Sequence, residues 1–431
     1  MRIPDLAPAT GVRPEGLTPR HLIQELRGQE STRIPDLRTG RGRPSCRGRP
    51  SLGILRERKF ALADFRSCAN KNRILRERIF ALADFRSCAN KNRILRERKL
   101  ALADFRSCAD NPAVRVVVVG GGSWGTAFSV LLRDRGHQVA LACRDPDQAA
   151  AIRASGRNPR YLKTADLSGV FSCSIQGAPT EEAELVVVAV PSRAFGEVVE
   201  ALPGDAPVLS LTKGLDPETG ERLSTLVRGR PVAVLSGPNI AEEIVQGLPA
   251  AAVVASTDLE LAVRLQLAIN STAFRVYVNE DVVGVELCAA AKNVIALAAG
   301  GADGLGLGDN GKAALVTRGL AEMGRLAESA GGRPETFAGL AGMGDLIVTC
   351  WSPSGRNRRA GELIARGASA EEAVAQIGMV VEGLTTAPVL RDVSHRLGIE
   401  MPITEGVCAV LEGTGLGELV AQLMRREPTT E

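Results

Sequence analysis

From Val114 onward, short β-branched runs recur at Val116–Val119, Val139–Ala142, Leu185–Val190, Val208–Leu211, Val232–Leu235, Ala251–Ala255 and Phe274–Val278, with amphipathic segments between most of them. Strands that alternate with helices build a mostly parallel sheet covered on both faces. After about Asp281 the strands stop, and Ala, Leu, Glu and Arg recur at helical spacing between glycine loops. The pattern predicts an α/β protein: a doubly wound domain over residues 113–283, then an all-helical domain over 284–431.

Residues 1–112 do not share this rhythm. Ile54–Arg73 is repeated at Ile74–Arg93 with one change, Lys59 against Ile79, and a partial third copy runs from Ile94 to Ala109. RIPDL occurs at Arg2–Leu6 and again at Arg33–Leu37. Each 20-residue copy has the makings of a short amphipathic helix. Copies this similar also fit a duplication at the DNA level, or upstream sequence translated from a misplaced start, with Val114 or Val116 as the original one. Residues 1–113 hold 25 Lys/Arg against 12 Asp/Glu, and the remainder 28 against 37. A basic arm on an acidic body can signal nucleic acid. Here zinc-finger spacing and aromatic–basic interleaving are both missing, so no nucleic-acid partner is expected.

No uninterrupted apolar run reaches the roughly 18–20 residues of a membrane span. The best candidate, around Leu287 to Ala299, is broken by Lys292 and Asn293. The nine cysteines form no C-x-x-C pair and have no ligand-like histidine spacing. They read as free thiols in a reducing cytoplasm, with no metal site.

Arg115–Val139 reads as strand, glycine-rich turn and helix, with Gly120, Gly122 and Gly125 in G-x-G-x-x-G. The first glycine permits the tight turn, the second lets backbone approach a pyrophosphate, and the third packs the helix on the strand. The helix N-terminus then offers free N–H groups to phosphate. A dinucleotide, NAD or NADP, is therefore expected here. Arg144, at the tip of the second strand, suits a 2′-phosphate, while Asp145 beside it suits the ribose hydroxyls of NAD. Two more strand ends point at the same crevice, at Pro191-Ser192 and Thr212-Lys213-Gly214.

Hydride transfer from an alcohol needs a base for the hydroxyl proton. None of the three histidines, His21, His137 and His395, is well placed for this. Lysine is scarce, 8 against 45 arginines. A lysine retained in such a chain marks a place where a guanidinium, which stays charged, will not serve. Lys292 sits in an apolar helix, where burial would lower its pKa. Its stem would equally well cover apolar surface with the head in solvent. Gly342–Cys350 offers Asp345 and Thr349, and Gly355–Arg359 offers Arg356 and Asn357 for a phosphate.

Together the segments GGGSWGTA, VPS, TKGL, SGPN, AAAKNVIALAAGGADGLGLGDN, ALVTRGLAEM, GLAGMGDLIVTC, GRNRR and VVEG resemble, in order, the bacterial NAD(P)-dependent glycerol-3-phosphate dehydrogenases. The resemblance implies a Rossmann domain, a helical domain and a site at their junction. It implies Lys292 as proton acceptor with Asp345 near it. It puts Lys213, Gly237, Asn239, Asn293, Thr349, Gly355, Arg356 and Asn357 around the substrate. Around the nucleotide it puts Gly120, Gly122, Ser123, Trp124, Gly125, Arg144, Ala241, Val380 and Glu382, with Lys213 and Arg356 reaching both ligands. Asn239 stands where the family commonly has Ser or Thr, and Gly355 where it often has Ser. The implied role is supply of glycerol phosphate for phospholipid synthesis in the cytoplasm, with a homodimer left open. A β-hydroxyacid dehydrogenase, which also places a lysine after its Rossmann domain, and a nucleotide sensor without turnover are the competing readings.

Overall fold

The computed structural model of the protein describes residues 112–417. The repeats between 54 and 109, the basic arm and the end of the chain from 418 lie outside the described residues. Eight strands form one sheet: β1 (Arg115–Val119), β2 (Gln138–Cys143), β3 (Phe171–Ser174), β4 (Leu185–Val188), β5 (Val208–Ser210), β6 (Val232–Ser236), β7 (Ala250–Ala255) and β8 (Phe274–Asn279). Their order is β3-β2-β1-β4-β5-β6-β7-β8. All neighbours are parallel except β6 and β7. The seven strands read from the sequence are present. The eighth, β3, lacks an apolar run: its sequence is FSCS, and Phe171 is exposed.

The valines of β1 explain why the sheet is covered twice. Val116 and Val118 enter the core on one face, Val117 and Val119 the core on the other. Successive side chains of a strand point to opposite faces, so a strand buried on both sides must be apolar throughout. The helices of this part are α1 (Ser123–Asp134), α2 (Pro146–Ser155), α3 (Phe195–Ala201), α4 (Ala241–Val245) and α5 (Leu259–Ile269). The chain passes to opposite sides of β1 through β2 and β4, which opens a crevice beyond the carboxyl ends of those strands.

Only Glu280 and Asp281 separate β8 from α6 (Val282–Gly304). The Asp281 carboxylate caps this helix, accepting from the Gly284 N–H at 2.8 Å, and also accepts from the Thr336 hydroxyl at 2.6 Å. Around α6 lie α7 (Gly308–Ser329), α8 (Pro334–Phe337), a π-helical turn at Leu340–Gly344, α9 (Asp345–Trp351), α10 (Arg356–Ala365), α11 (Ala370–Ile377), α12 (Glu382–Leu397) and α13 (Pro402–Leu411). By length and a mean hydropathy of 1.7, α6 would pass for a membrane span, but 89% of that window is buried inside the fold. An all-round apolar helix of this kind is the axle of a helical core. Against α10 it packs backbone to backbone. A Cβ on Gly300 would collide with the Arg358 carbonyl, and one on Gly361 with the Leu297 carbonyl.

Candidate active site

The crevice has a volume of about 430 Å³ and runs from the glycine-rich turn after β1 to α6, α9 and the start of α10. Its first wall is the turn. Gly120 has φ +121°, and a Cβ there would strike the Ala189 carbonyl. A Cβ on Gly125 would strike the Gly120 carbonyl. Gly122 differs: a Cβ there would meet nothing within 4 Å. Protein packing does not require a glycine at 122, whereas a pyrophosphate lying on the backbone would. Helix α1 starts at the next residue with no side-chain cap, so its first N–H groups remain free for an anion. The indole Nε1 of Trp124 and the Nδ2 of Asn239, both on the crevice wall, are buried donors without a protein partner. A dinucleotide therefore fits this wall.

At the far end of the turn, Arg144 is exposed and lines the crevice. Asp145 is already occupied: its carboxylate caps α2 through the Asp147 N–H at 2.9 Å and pairs with Arg160 at 2.5 Å. A ribose would have to compete for it. Ala241 and Val380 also line the crevice, and Glu382 spans it. The Glu382 carboxylate, first residue of α12, accepts from the Ser192 hydroxyl at 2.8 Å, beyond the end of β4. Burial pushes the Glu382 carboxyl up, and the Ser192 bonds oppose that.

Three charges meet where the sheet joins the helices. The Lys292 ammonium, on α6, donates to Asp345 Oδ1 at 2.7 Å and to the Thr349 hydroxyl at 2.8 Å. The Lys213 ammonium donates to Asp345 Oδ2 at 2.6 Å and lies 3.4 Å from Asn239 Oδ1 and 3.5 Å from the Gly237 carbonyl. Ser236 adds a bond to Oδ2 at 3.2 Å. Asp345 and Thr349 share this site because they lie one turn apart on α9, and the Thr349 hydroxyl is oriented by the Asp345 carbonyl at 2.6 Å. Gly237 lets the loop pass β7, since a Cβ there would meet the Ala251 carbonyl at 2.9 Å.

The electrostatics follow from burial. Lys292 is 5% exposed and Asp345 2%. Burial lowers the Lys292 pKa most, Asp345 raises it, Lys213 lowers it again, and the balance falls at about 8. Burial alone would push the Asp345 carboxyl up, but Lys213 and Lys292 together hold it below the usual carboxylate range. Lys292 spends two of its three tetrahedral positions on Asp345 and Thr349. The third holds a proton when the group is an ammonium and a lone pair when it is an amine. A group held in this way can give or take a proton at one fixed position.

Next to it, α10 starts at Arg356 behind Gly355, with no side-chain cap. The N–H groups of its first turn are therefore unspent, and they carry the positive end of the helix dipole. Arg356 is exposed and donates to the Val380 carbonyl at 3.1 Å. Asn357 is buried. Its Nδ2 donates to Asn293 Oδ1 at 2.9 Å, and its Oδ1 accepts from the Gly383 N–H at 2.9 Å, so it ties α6, α10 and α12 together. Arg358, which sequence reasoning passed over, holds the loop in front of the helix. It donates to the Ser352 carbonyl at 3.1 Å, to Asp303 at 2.8 Å and to Glu362 at 2.9 Å.

Thus Lys213, Gly237, Asn239, Lys292, Asn293, Asp345, Thr349, Gly355, Arg356 and Asn357 all lie at one end of the crevice, and the glycine turn, Ser123, Trp124 and Arg144 at the other. The described histidines stay outside. His137 is buried, its Nδ1 accepting from the Val114 N–H and its Nε2 facing the Ala268 carbonyl. His395 is exposed and pairs with Glu405. Among the described residues, no cluster of His, Cys, Asp and Glu could hold a metal ion.

Known proteins resemble the chain over the same span. The family model for the N-terminus of NAD-dependent glycerol-3-phosphate dehydrogenase matches residues 115–262, and that for its C-terminus matches residues 281–418. A glycerol-3-phosphate dehydrogenase [NAD(P)+] of Moorella thermoacetica is 47% identical over 325 residues, covering 73% of this chain and 97% of that protein. One from Chlorobium limicola is 44% identical, covering 74% and 99%. The crystal structure of glycerol-3-phosphate dehydrogenase from Coxiella burnetii superposes with a TM-score of 0.70 at 36% identity, covering 73% of this chain and 99% of that one.

Proposed function

The chain belongs to the NAD-dependent glycerol-3-phosphate dehydrogenase family, and we propose that it interconverts dihydroxyacetone phosphate and sn-glycerol 3-phosphate with NAD(P), supplying glycerol phosphate for phospholipid synthesis. The observation that carries this reading is the single open position on the Lys292 Nζ, beside the uncapped start of α10. When bound, the nicotinamide supplies or accepts the hydride at C2. The protein moves the proton: the Lys292 ammonium gives one to the C2 oxygen in reduction, and the neutral amine takes it back in oxidation. Asp345 and Thr349 hold the Nζ in place during both. Lys213 and Arg356 bring positive charge to the dianionic phosphate, and the first-turn N–H groups of α10 complete its cradle.

Arg144 stands free while Asp145 is committed to Arg160 and α2, which supports a preference for NADPH. The five described cysteines are buried and unpaired, as suits the cytoplasm. A homodimer belongs to the same proposal. Met343, Ile347 and Trp351, exposed at four-residue spacing, would be the apolar face it covers. Light scattering of the purified protein tests that point. The activity is tested by following NADPH and NADH absorbance with dihydroxyacetone phosphate, and NADP+ reduction with 3-hydroxyisobutyrate and 6-phosphogluconate. Turnover confined to the hydroxyacids would overturn the reading, and no turnover with any of them would leave a nucleotide sensor.

A further inference from the structure

The segment between β5 and β6 starts in the sheet but packs with the helices. It leaves β5 at Ser210, carries Lys213 at the crevice, and turns back as a small hairpin in which Leu215 bridges Arg222 antiparallel. Asp216 and Gly220 close the turn. Leu215, 2% exposed, belongs to the core around α6, in one cluster with Leu287, Ala290 and Ala291. The hairpin tip is held by Arg396 of α12, which donates to the Thr219 carbonyl at 3.1 Å.

The far end of the hairpin meets a buried carboxylate that the reaction does not use. Glu286 lies on α6, six residues before Lys292 and 6% exposed. It accepts from the Ser224 N–H at 2.8 Å, the Ser224 hydroxyl at 2.6 Å and Arg222 Nη1 at 3.0 Å. A carboxylate buried this deeply is costly unless it is fully bonded, and here its bonds tie the end of the hairpin to the helix. Lys213 reaches Asp345 from the other end of the same hairpin, and Lys292 reaches Asp345 from the same helix as Glu286.

We propose that Glu286 is a positioning residue: it fixes the hairpin 213–222 against α6, and so sets where Lys213 meets Asp345 and what share of that carboxylate is left to Lys292. The proposal rests on Lys292 as the proton carrier. If the anchor slackens, Lys213 withdraws, Asp345 serves Lys292 alone, and the ammonium form of Lys292 is favoured. The charged groups facing Lys292 are Asp345 from α9 and Lys213 from the hairpin, and the Cys350 thiol, also on α9, is pushed up to about 12 by burial. Arg222 is the charge facing Glu286.

The experiment is a double-mutant cycle of Glu286→Gln and Lys213→Ala, read as the pH profile of kcat for dihydroxyacetone phosphate reduction and as amide exchange over 213–223. Glu286→Gln should lower kcat roughly tenfold and move the alkaline limb to higher pH. Lys213→Ala should move it the same way, and the double variant should match Lys213→Ala alone. An unmoved limb, or additive shifts, would show that Glu286 acts only as structural glue. If Glu286→Gln does not fold, Ser224→Ala and Arg222→Gln loosen the same anchor from the other side and carry the same expectations. Exchange over 213–223 judges the anchor whatever the activity: faster exchange in the anchor variants supports it, and unchanged exchange overturns it. Failure of the parent enzyme to turn over the substrate would instead defeat the proposed function.

Discussion

A lysine held by two fixed acceptors can be replaced by arginine without losing its charge, but not without losing its lone pair. Lys292→Arg should therefore fail as badly as Lys292→Ala, each losing about 10²–10⁴-fold in kcat, while NADPH binding persists. With the Lys292 pKa at about 8, oxidation needs the amine and should rise with pH through that value. Reduction needs the ammonium and should fall above it. Near-normal kcat in the arginine variant, with both limbs in place, would make Lys292 a positioning charge. Arg356 has a different task. Arg356→Ala should lower kcat/KM for the phosphate substrate roughly 30- to 1,000-fold, with a smaller loss in NADPH affinity. An equal loss for a substrate without phosphate would contradict that assignment. At this scale the sequence was informative where chemistry restricts the residue type, as with a lone lysine in an apolar helix. It was silent on partners. Nothing in the order of residues says that Asp345 accepts from two lysines, that Asp145 is taken by Arg160, or that Asn357 spends both ends of its amide inside the protein.

Among the elements, the strand–turn–helix over 115–134 was the most legible, since four valines and three glycines each answer to a separate steric demand. It also supports a clean test. A side chain at Gly122 would project into open space, so Gly122→Val should keep the melting temperature within about 2 °C, as for a change that buries and strains little. The same change should weaken NADPH binding by an order of magnitude or more, as the pyrophosphate is pushed off the backbone. Unfolding on this substitution, or unchanged affinity, would each contradict the account. Less legible elements are those whose reason is tertiary. Strand β3 is a four-residue edge strand whose two buried positions are Ser172 and Cys173, so it shows no apolar run, and β7 runs antiparallel to β6 although its own sequence reads like its neighbours. The hairpin 213–222 looks like a polar loop until Leu215 is seen in the helical core.

For the molecule as a whole, one buried acid couples stability to pH. Glu322 of α7 is 2% exposed and accepts from the N–H groups of Ile403 at 2.5 Å and Thr404 at 3.3 Å, capping α13, whose own first residue lacks a side-chain cap. Burial pushes its carboxyl from 4.5 up to about 7. Between those values the folded chain keeps a proton that the unfolded chain releases, so this group's contribution is present below about 4.5 and is lost as pH rises through about 7. Glu322→Gln carries no such proton. Relative to that variant, the parent's stability should fall by on the order of 1–3 kcal/mol between pH 4.5 and 7.5, measured by urea unfolding at each pH. A constant difference across that range would remove Glu322 from the account.

The glycine seam between α6 and α10 has a further consequence. These helices carry Lys292, the proposed proton carrier, and the uncapped terminus proposed to cradle the phosphate, and they touch main chain to main chain at Gly300 and Gly361. No rotamer change can open or narrow that contact. The pair acts as a caliper with fixed jaws, and a caliper measures length rather than composition. A ketone phosphate with one extra methylene between phosphate and carbonyl would still be gripped at its charged end. Its carbonyl would then overshoot the lysine by about 1 Å or more, a misplacement that costs on the order of 10² in rate. Discrimination against such a substrate should therefore appear in kcat and hardly at all in binding.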